Sequence, residues 1–100
     1  MRLLSIFILA GILCGGTNNA LSKASAAIKA GMYKEALGHI SVAQKTDETN
    51  PDVYRMKALL HEALDEPKLA LSAWKNCLKY SKDEFMSSEA KIHIQSLSAE

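Results

Sequence analysis

The side chains with the greatest capacity for chemistry in this 100-residue chain are three histidines and two cysteines. The histidines are His39, His61 and His93, and the cysteines are Cys14 and Cys77. Metal sites and reactive cysteines recur at fixed spacings such as C-x-x-C, H-E-x-x-H and C-x-x-C-H, and none of these spacings occurs here. The sequence therefore predicts no catalytic residue, no metal site and no cofactor, and we expect the chain not to be an enzyme.

The positions of these residues predict structural roles instead. His39 and His93 lie between apolar positions of predicted helices, where we expect them to be solvated. His61 lies at a position between helices, which is typical of a packed histidine with a hydrogen-bond partner. Cys77 falls on the apolar side of a predicted helix, so we expect a buried and inert thiol, because a nucleophile needs an exposed, electropositive setting.

The N-terminus has the pattern of a leader. Residues 1–13 carry one charged side chain, Arg2, and the apolar run 3–13 is followed by small and polar residues. This order is typical of a secretory signal peptide, and the run is shorter than the roughly 20 residues of a spanning helix. We expect residues 1–19 to act as a signal peptide, cut after Gly16 or Ala20, or as an uncleaved membrane anchor. The protein is then exported, to the periplasm or the cell exterior.

Cys14 adds a third alternative for the leader. A cysteine directly after the apolar run resembles a bacterial lipobox, in which the cysteine is lipidated and becomes the new N-terminus. Lipoboxes usually carry Gly, Ala or Ser before the cysteine, whereas this chain has Leu13. The other interpretation is that Cys14 serves as an apolar residue.

The charge of the remaining chain is balanced. Of the 12 Lys and Arg side chains, Arg2 belongs to the leader, which leaves 11 against 11 Asp and Glu. A nucleic-acid-binding domain usually has a basic surplus clustered on one face, and here the two signs are interspersed. We therefore expect a protein partner and no nucleic acid.

From Ala20 onward the apolar residues recur at spacings of three and four, which predicts an all-α domain without strands. Gly31 is a natural helix stop, and Pro51 and Pro67 suit the first position of a helix. Trp74 is the largest apolar side chain of the domain, and we expect it to anchor the core, with Leu69 on the same inner face of its helix. The predicted helices are 20–30, 32–45, 51–64, 67–80 and 84–97.

The chain also repeats itself after 34 residues. At that shift small positions meet small ones and bulky positions meet bulky ones, in the same helical register. The paired positions are Ala24 with Ala58, Gly31 with Asp65, Ala36 with Ala70, Ile40 with Trp74, and Ala43 with Cys77.

Residues 31–36, Gly-Met-Tyr-Lys-Glu-Ala, resemble the Gly-x-Tyr-x-x-Ala run of the tetratricopeptide repeat family, and residues 65–70 are a looser second copy. Gly31 permits a left-handed turn, and Ala36 lets two helix backbones approach closely. The resemblance implies antiparallel helix hairpins: repeat one at 20–50, repeat two at 51–82 and a C-terminal capping helix at 84–97.

In this family the first helices of successive repeats line a concave groove. The resemblance therefore implies a protein interaction module, an adaptor or scaffold that holds a peptide or a partner helix. Leu21 and Ser25 stand where the family's clamp for a terminal carboxylate uses Lys and Asn, which disfavours that ligand. The other interpretation is a set of solvated helix positions. The implied groove residues are Leu21, Ser25, Ile28, Lys29, Asp52, Arg55, Leu59 and Glu62.

Two repeats are few, because each hairpin buries its apolar face only against neighbours and about three are usually needed. The predicted capping helix covers one end. The apolar face at the other end also needs cover, so we expect a partner chain or self-association there. The alternative function is therefore a structural, membrane-associated homo-oligomer or lipoprotein without a peptide ligand.

Overall fold

The computed structural model describes residues 17–99, and the predicted leader up to residue 16, with Cys14, lies outside them. The described range contains five helices and no strand, which confirms the all-α prediction. The first helix begins three residues before the predicted boundary, and the other helix ends lie within one residue of their predicted positions. The helices are α1 (Thr17–Lys29), α2 (Tyr33–Thr46), α3 (Pro51–Ala63), α4 (Pro67–Tyr80) and α5 (Glu84–Ser98).

Capping residues fix where two of these helices start. The Asn50 side chain accepts a hydrogen bond of 2.9 Å from the Asp52 amide, directly before the proline that opens α3. The Asp83 side chain accepts one of 2.7 Å from the Met86 amide and opens α5. Both contacts satisfy an amide that has no partner within its helix.

The two turns between paired helices have the same backbone geometry, 34 residues apart. Gly31 has a φ of 76° and Asp65 a φ of 58°, so both lie in the left-handed region. In each turn one amide bonds three residues back and the next bonds five residues back, a known way to end a helix. The four bonds are Gly31 to Ile28, Met32 to Ala27, Asp65 to Glu62 and Glu66 to His61.

The helices pack as two hairpins, α1 with α2 and α3 with α4, and α5 packs against α4. Two apolar clusters result, and α3 contributes to both. The first cluster consists of Ala20, Ala24, Ala27, Ala36, Ile40, Ala43, Val53 and Leu60. The second consists of Tyr54, Ala58, Ala73, Trp74, Cys77 and Ala90.

Trp74 is fully buried and anchors the second cluster, as predicted. Leu69 was expected on the same inner face, and this expectation was wrong, because Leu69 is 52% exposed. The buried stripe of α4 runs through Ala70, Trp74 and Cys77. Leu69 precedes Ala70 by one residue, which turns its side chain about 100° away from that stripe.

Candidate functional site

A concave groove lies between the first helices of the two hairpins, α1 and α3. Its volume is about 250 Å³. Five of the eight residues predicted from the sequence line it together, three from α1 and two from α3. The lining residues are Ser25, Ile28, Lys29, Arg55, Met56, Leu59, Leu60 and Ala63.

The other three predicted groove residues lie elsewhere. Leu21 is half-buried and packs against the first apolar cluster. Asp52 is exposed in the first turn of α3. Glu62 accepts a hydrogen bond from α4 and lies beside a histidine of α5. The structure therefore narrows the predicted surface to one stretch of α1 and one of α3.

The floor of the groove is apolar and its edges carry charge. Leu59 is 36% exposed, and Ile28 and Met56 are partly buried beside it. Lys29 is exposed at the end of α1. An apolar side chain of a partner can be covered here while its polar neighbours remain in water.

Arg55 is held by α5. Its Nε lies 2.6 Å from Oε1 of Glu89 and its Nη2 lies 3.0 Å from Oε2, so the guanidinium donates two hydrogen bonds to one carboxylate. These hydrogen bonds lower the pKa of the Glu89 carboxyl and raise the pKa of Arg55. The ion pair fixes α5 beside the groove and compensates the charge of Arg55 within the chain.

Glu62 joins three helices. One of its oxygens, Oε2, accepts a hydrogen bond of 2.6 Å from the Trp74 indole and lies 2.9 Å from Nδ1 of His93. The His93 ring stacks on Trp74 with a centroid distance of 4.2 Å. A buried indole N–H requires an acceptor, so the presence of Trp74 in the core was the one feature of the sequence that indicated a contact of this kind.

Two histidine predictions are thereby decided. His93 was expected to be solvated, and this was wrong: its ring lies against Trp74 because α5 packs on α4, a contact between helices that local spacing does not reveal. His61 is buried, and its Nδ1 lies 2.9 Å from Oε1 of Glu66, which confirms a packed histidine with a polar partner.

The outer face of α5 is a second exposed apolar surface, and the sequence-based prediction missed it. Phe85 is 83% exposed and Ile92 is 66% exposed. A shallow depression of about 240 Å³ lies between them, lined also by Ser88, Glu89 and His93. The signal was available, because two large apolar residues seven positions apart share one face of a helix.

Cys77 is fully buried, as predicted. Burial raises the pKa of its thiol to about 11, because the surroundings disfavour the thiolate, and the Glu89 carboxylate acts in the same direction. At neutral pH the thiol is therefore protonated and shielded, which is the opposite of what a nucleophile needs.

Residues 17–99 contain no group of three or more His, Cys, Asp or Glu side chains arranged to hold a metal ion. Within the same range no helix has both the length and the apolar character needed to cross a membrane. Comparisons of the chain with protein-family models, with curated proteins and with solved structures gave no match.

Proposed function

We propose that this chain is a tetratricopeptide-like interaction module, an adaptor that holds an apolar segment of a partner protein in the groove between α1 and α3. The observation that carries the proposal is the groove itself. Five residues that the repeat register predicts, three in α1 and two in α3, line one concave surface with an apolar floor.

The size and chemistry of the groove favour a peptide or a helix as ligand. Its volume of about 250 Å³ is below the roughly 300–1,000 Å³ of small-molecule pockets. It has room for a few side chains that project from a longer segment, as in grooves that bind amphipathic helices. Lys29 at the edge favours a segment with a carboxylate beside its apolar residues.

A substitution at Leu59 tests the groove most directly. Peptides that bind the full-length protein are first selected from a random library, and their dissociation constants are then measured for variants. We expect Leu59→Asp to weaken binding at least about tenfold, because it places an unpaired charge on the apolar floor. Arg55 is a poorer test position, because its replacement also releases Glu89 of α5.

Val42→Asp is the matched control. Val42 is a large apolar residue of α2 that is more than half exposed and does not line the groove. Binding of the same peptides to this variant should stay within about twofold of the wild type. Equal losses in both variants, or undiminished binding to Leu59→Asp, would contradict the groove assignment.

We further propose that the adaptor acts outside the cytoplasm, on the basis of the leader pattern in residues 1–19. The intact mass of the protein from the soluble and membrane fractions of its host decides between the alternatives. A soluble form starting near Thr17 or Leu21 indicates cleavage. A membrane form that retains Met1 indicates an anchor, and acyl mass on Cys14 indicates a lipoprotein. Full-length protein found only in the cytoplasm would overturn the proposal.

A further inference from the structure

The outer face of α5 has two large exposed apolar residues with one small side chain between them. Phe85 and Ile92 are 83% and 66% exposed, and Ser88 lies on the same face between them. Within residues 17–99, the residues that line the depression on this face all belong to α5. Exposed apolar residues grouped on one helix face mark an interaction surface.

We propose that this face binds the same face of a second copy of the chain, with the two α5 helices antiparallel across a two-fold axis. The axis passes close to Ser88 and Glu89, so that Phe85 of each copy packs on Ile92 of the other. A small residue at the crossing allows the helices to approach closely. This inference concerns a different surface and does not depend on the groove between α1 and α3.

The charges beside the apolar pair match in this arrangement. Glu84 and Lys91 are exposed on one flank of the face, seven residues apart. In an antiparallel pair this flank lies against the same flank of the second copy, and each Glu84 comes level with Lys91 of the other chain to within about 3 Å along the axis. Both side chains are long enough to span that offset, so two symmetric ion pairs form.

The opposite flank poses an electrostatic problem that the structure already solves. Glu89 lies close to the two-fold axis, so the arrangement brings it near Glu89 of the second copy. Two unpaired carboxylates at this position would repel each other. Each carboxylate is bound by the Arg55 guanidinium of its own chain, at 2.6 Å and 3.0 Å, which removes most of that repulsion.

A second copy fits this face better than an unrelated partner because the face is its own complement. A two-fold interface requires that each feature meet a matching one from the same patch. The apolar pair Phe85 and Ile92 and the charged pair Glu84 and Lys91 both meet this requirement with one placement of the axis. In the parallel orientation this flank would instead lie against the opposite flank of the second copy, and Glu84 would not face Lys91.

Charge reversal tests the arrangement. Full-length chains in a mild detergent carry donor or acceptor fluorophores at the C-terminus, and energy transfer between copies gives the dissociation constant. We expect Glu84→Lys alone and Lys91→Glu alone each to weaken self-association at least about tenfold, because like charges then face each other twice. A mixture of the two variants pairs opposite charges at both contacts, so it should associate about as tightly as the wild type.

Two further variants complete the test. Phe85→Ala should weaken association about tenfold, whereas Val42→Ala, which shortens an exposed apolar residue of α2, should leave it unchanged. Circular dichroism checks that every variant is as helical as the wild type.

The proposal is overturned if the wild type shows no energy transfer between copies at any concentration. It is also overturned if the single variants associate like the wild type, or if the mixture associates no more tightly than either variant alone.

Discussion

Glu62 illustrates how a side chain can be placed on the right helix and given the wrong neighbours. The repeat register assigned it to the groove, yet its carboxylate lies among α3, α4 and α5, where it accepts a hydrogen bond from Trp74 and lies 2.9 Å from Nδ1 of His93. The indole N–H is buried and needs an acceptor, and Glu62 is the acidic residue within its reach. One carboxylate oxygen thus accepts the indole N–H of α4 and lies beside the imidazole of α5.

Because Cys77 is buried, we expect the free energy of unfolding to fall at alkaline pH. Its pKa is raised to about 11, chiefly by burial, from a value near 9 in the unfolded chain. A raised pKa means that the folded state favours the protonated thiol, so its contribution is complete below about pH 9 and is lost as the pH rises towards 11. We expect the free energy of unfolding to fall by about 1–2 kcal/mol from this group between about pH 8 and about pH 10.5.

Urea unfolding at the two pH values measures this effect, and Cys77→Ala provides the control. The variant has no thiol at this position, so its free energy of unfolding should depend less steeply on pH. Burial also raises the pKa of Tyr54, which leaves a smaller slope of the same sign in both proteins. Identical slopes in the two proteins would show that the thiol does not contribute.

The hairpin turns show what short-range sequence signals can specify. Gly31 and Asp65 occupy equivalent left-handed positions, and the hydrogen bonds around them are equivalent after a shift of 34 residues. Glycine, proline and cap residues act through their own backbone, so the helix ends they set were predictable. The exposure of Leu69 was not, because it depends on which other helix covers each face.

A pair of glycine substitutions separates backbone conformation from packing. An added Cβ has no heavy atom within 4 Å at either Gly31 or Gly38, so neither substitution causes a clash. We expect Gly31→Ala to lower stability by about 1 kcal/mol, because alanine is disfavoured at a φ of 76°. Gly38 lies inside α2, and Gly38→Ala should raise stability by about 0.5–1 kcal/mol. Thermal unfolding of both variants measures the two effects, and shifts of the same sign would contradict this account.

The position of α5 extends the repeat spacing to the whole molecule. The sequence predicted a capping helix after the second hairpin, and α5 begins 33 residues after α3 and packs against α4. Arg55 and Glu89, which are 34 residues apart, bond across this junction. The helix thus takes the place of the first helix of a third hairpin. The repeat period predicted the hairpins and most of the groove, but ion pairs between helices depend on side-chain reach, which the period does not encode.

The Arg55 ion pair predicts a local effect on α5. Both side chains are partly exposed, so we expect a modest contribution of about 0.5–1 kcal/mol, in line with solvent-screened pairs. Arg55→Gln should therefore speed amide hydrogen exchange in α5 by about two- to fivefold while leaving α1 unchanged. In a Glu89→Gln background the same substitution should add little, since the pair is already broken. Equal acceleration in α1 and α5 would indicate a global loss of stability instead.

One helix serves both apolar clusters, and this bears on how the chain unfolds. Val53 and Leu60 of α3 belong to the first cluster, while Tyr54 and Ala58 of the same helix belong to the second. Long repeat arrays can lose their terminal units one at a time, because each unit contacts only its neighbours. Here, disorder in either hairpin withdraws support from α3 and so weakens the other. We therefore expect the two hairpins to unfold together, without one folded half as an intermediate.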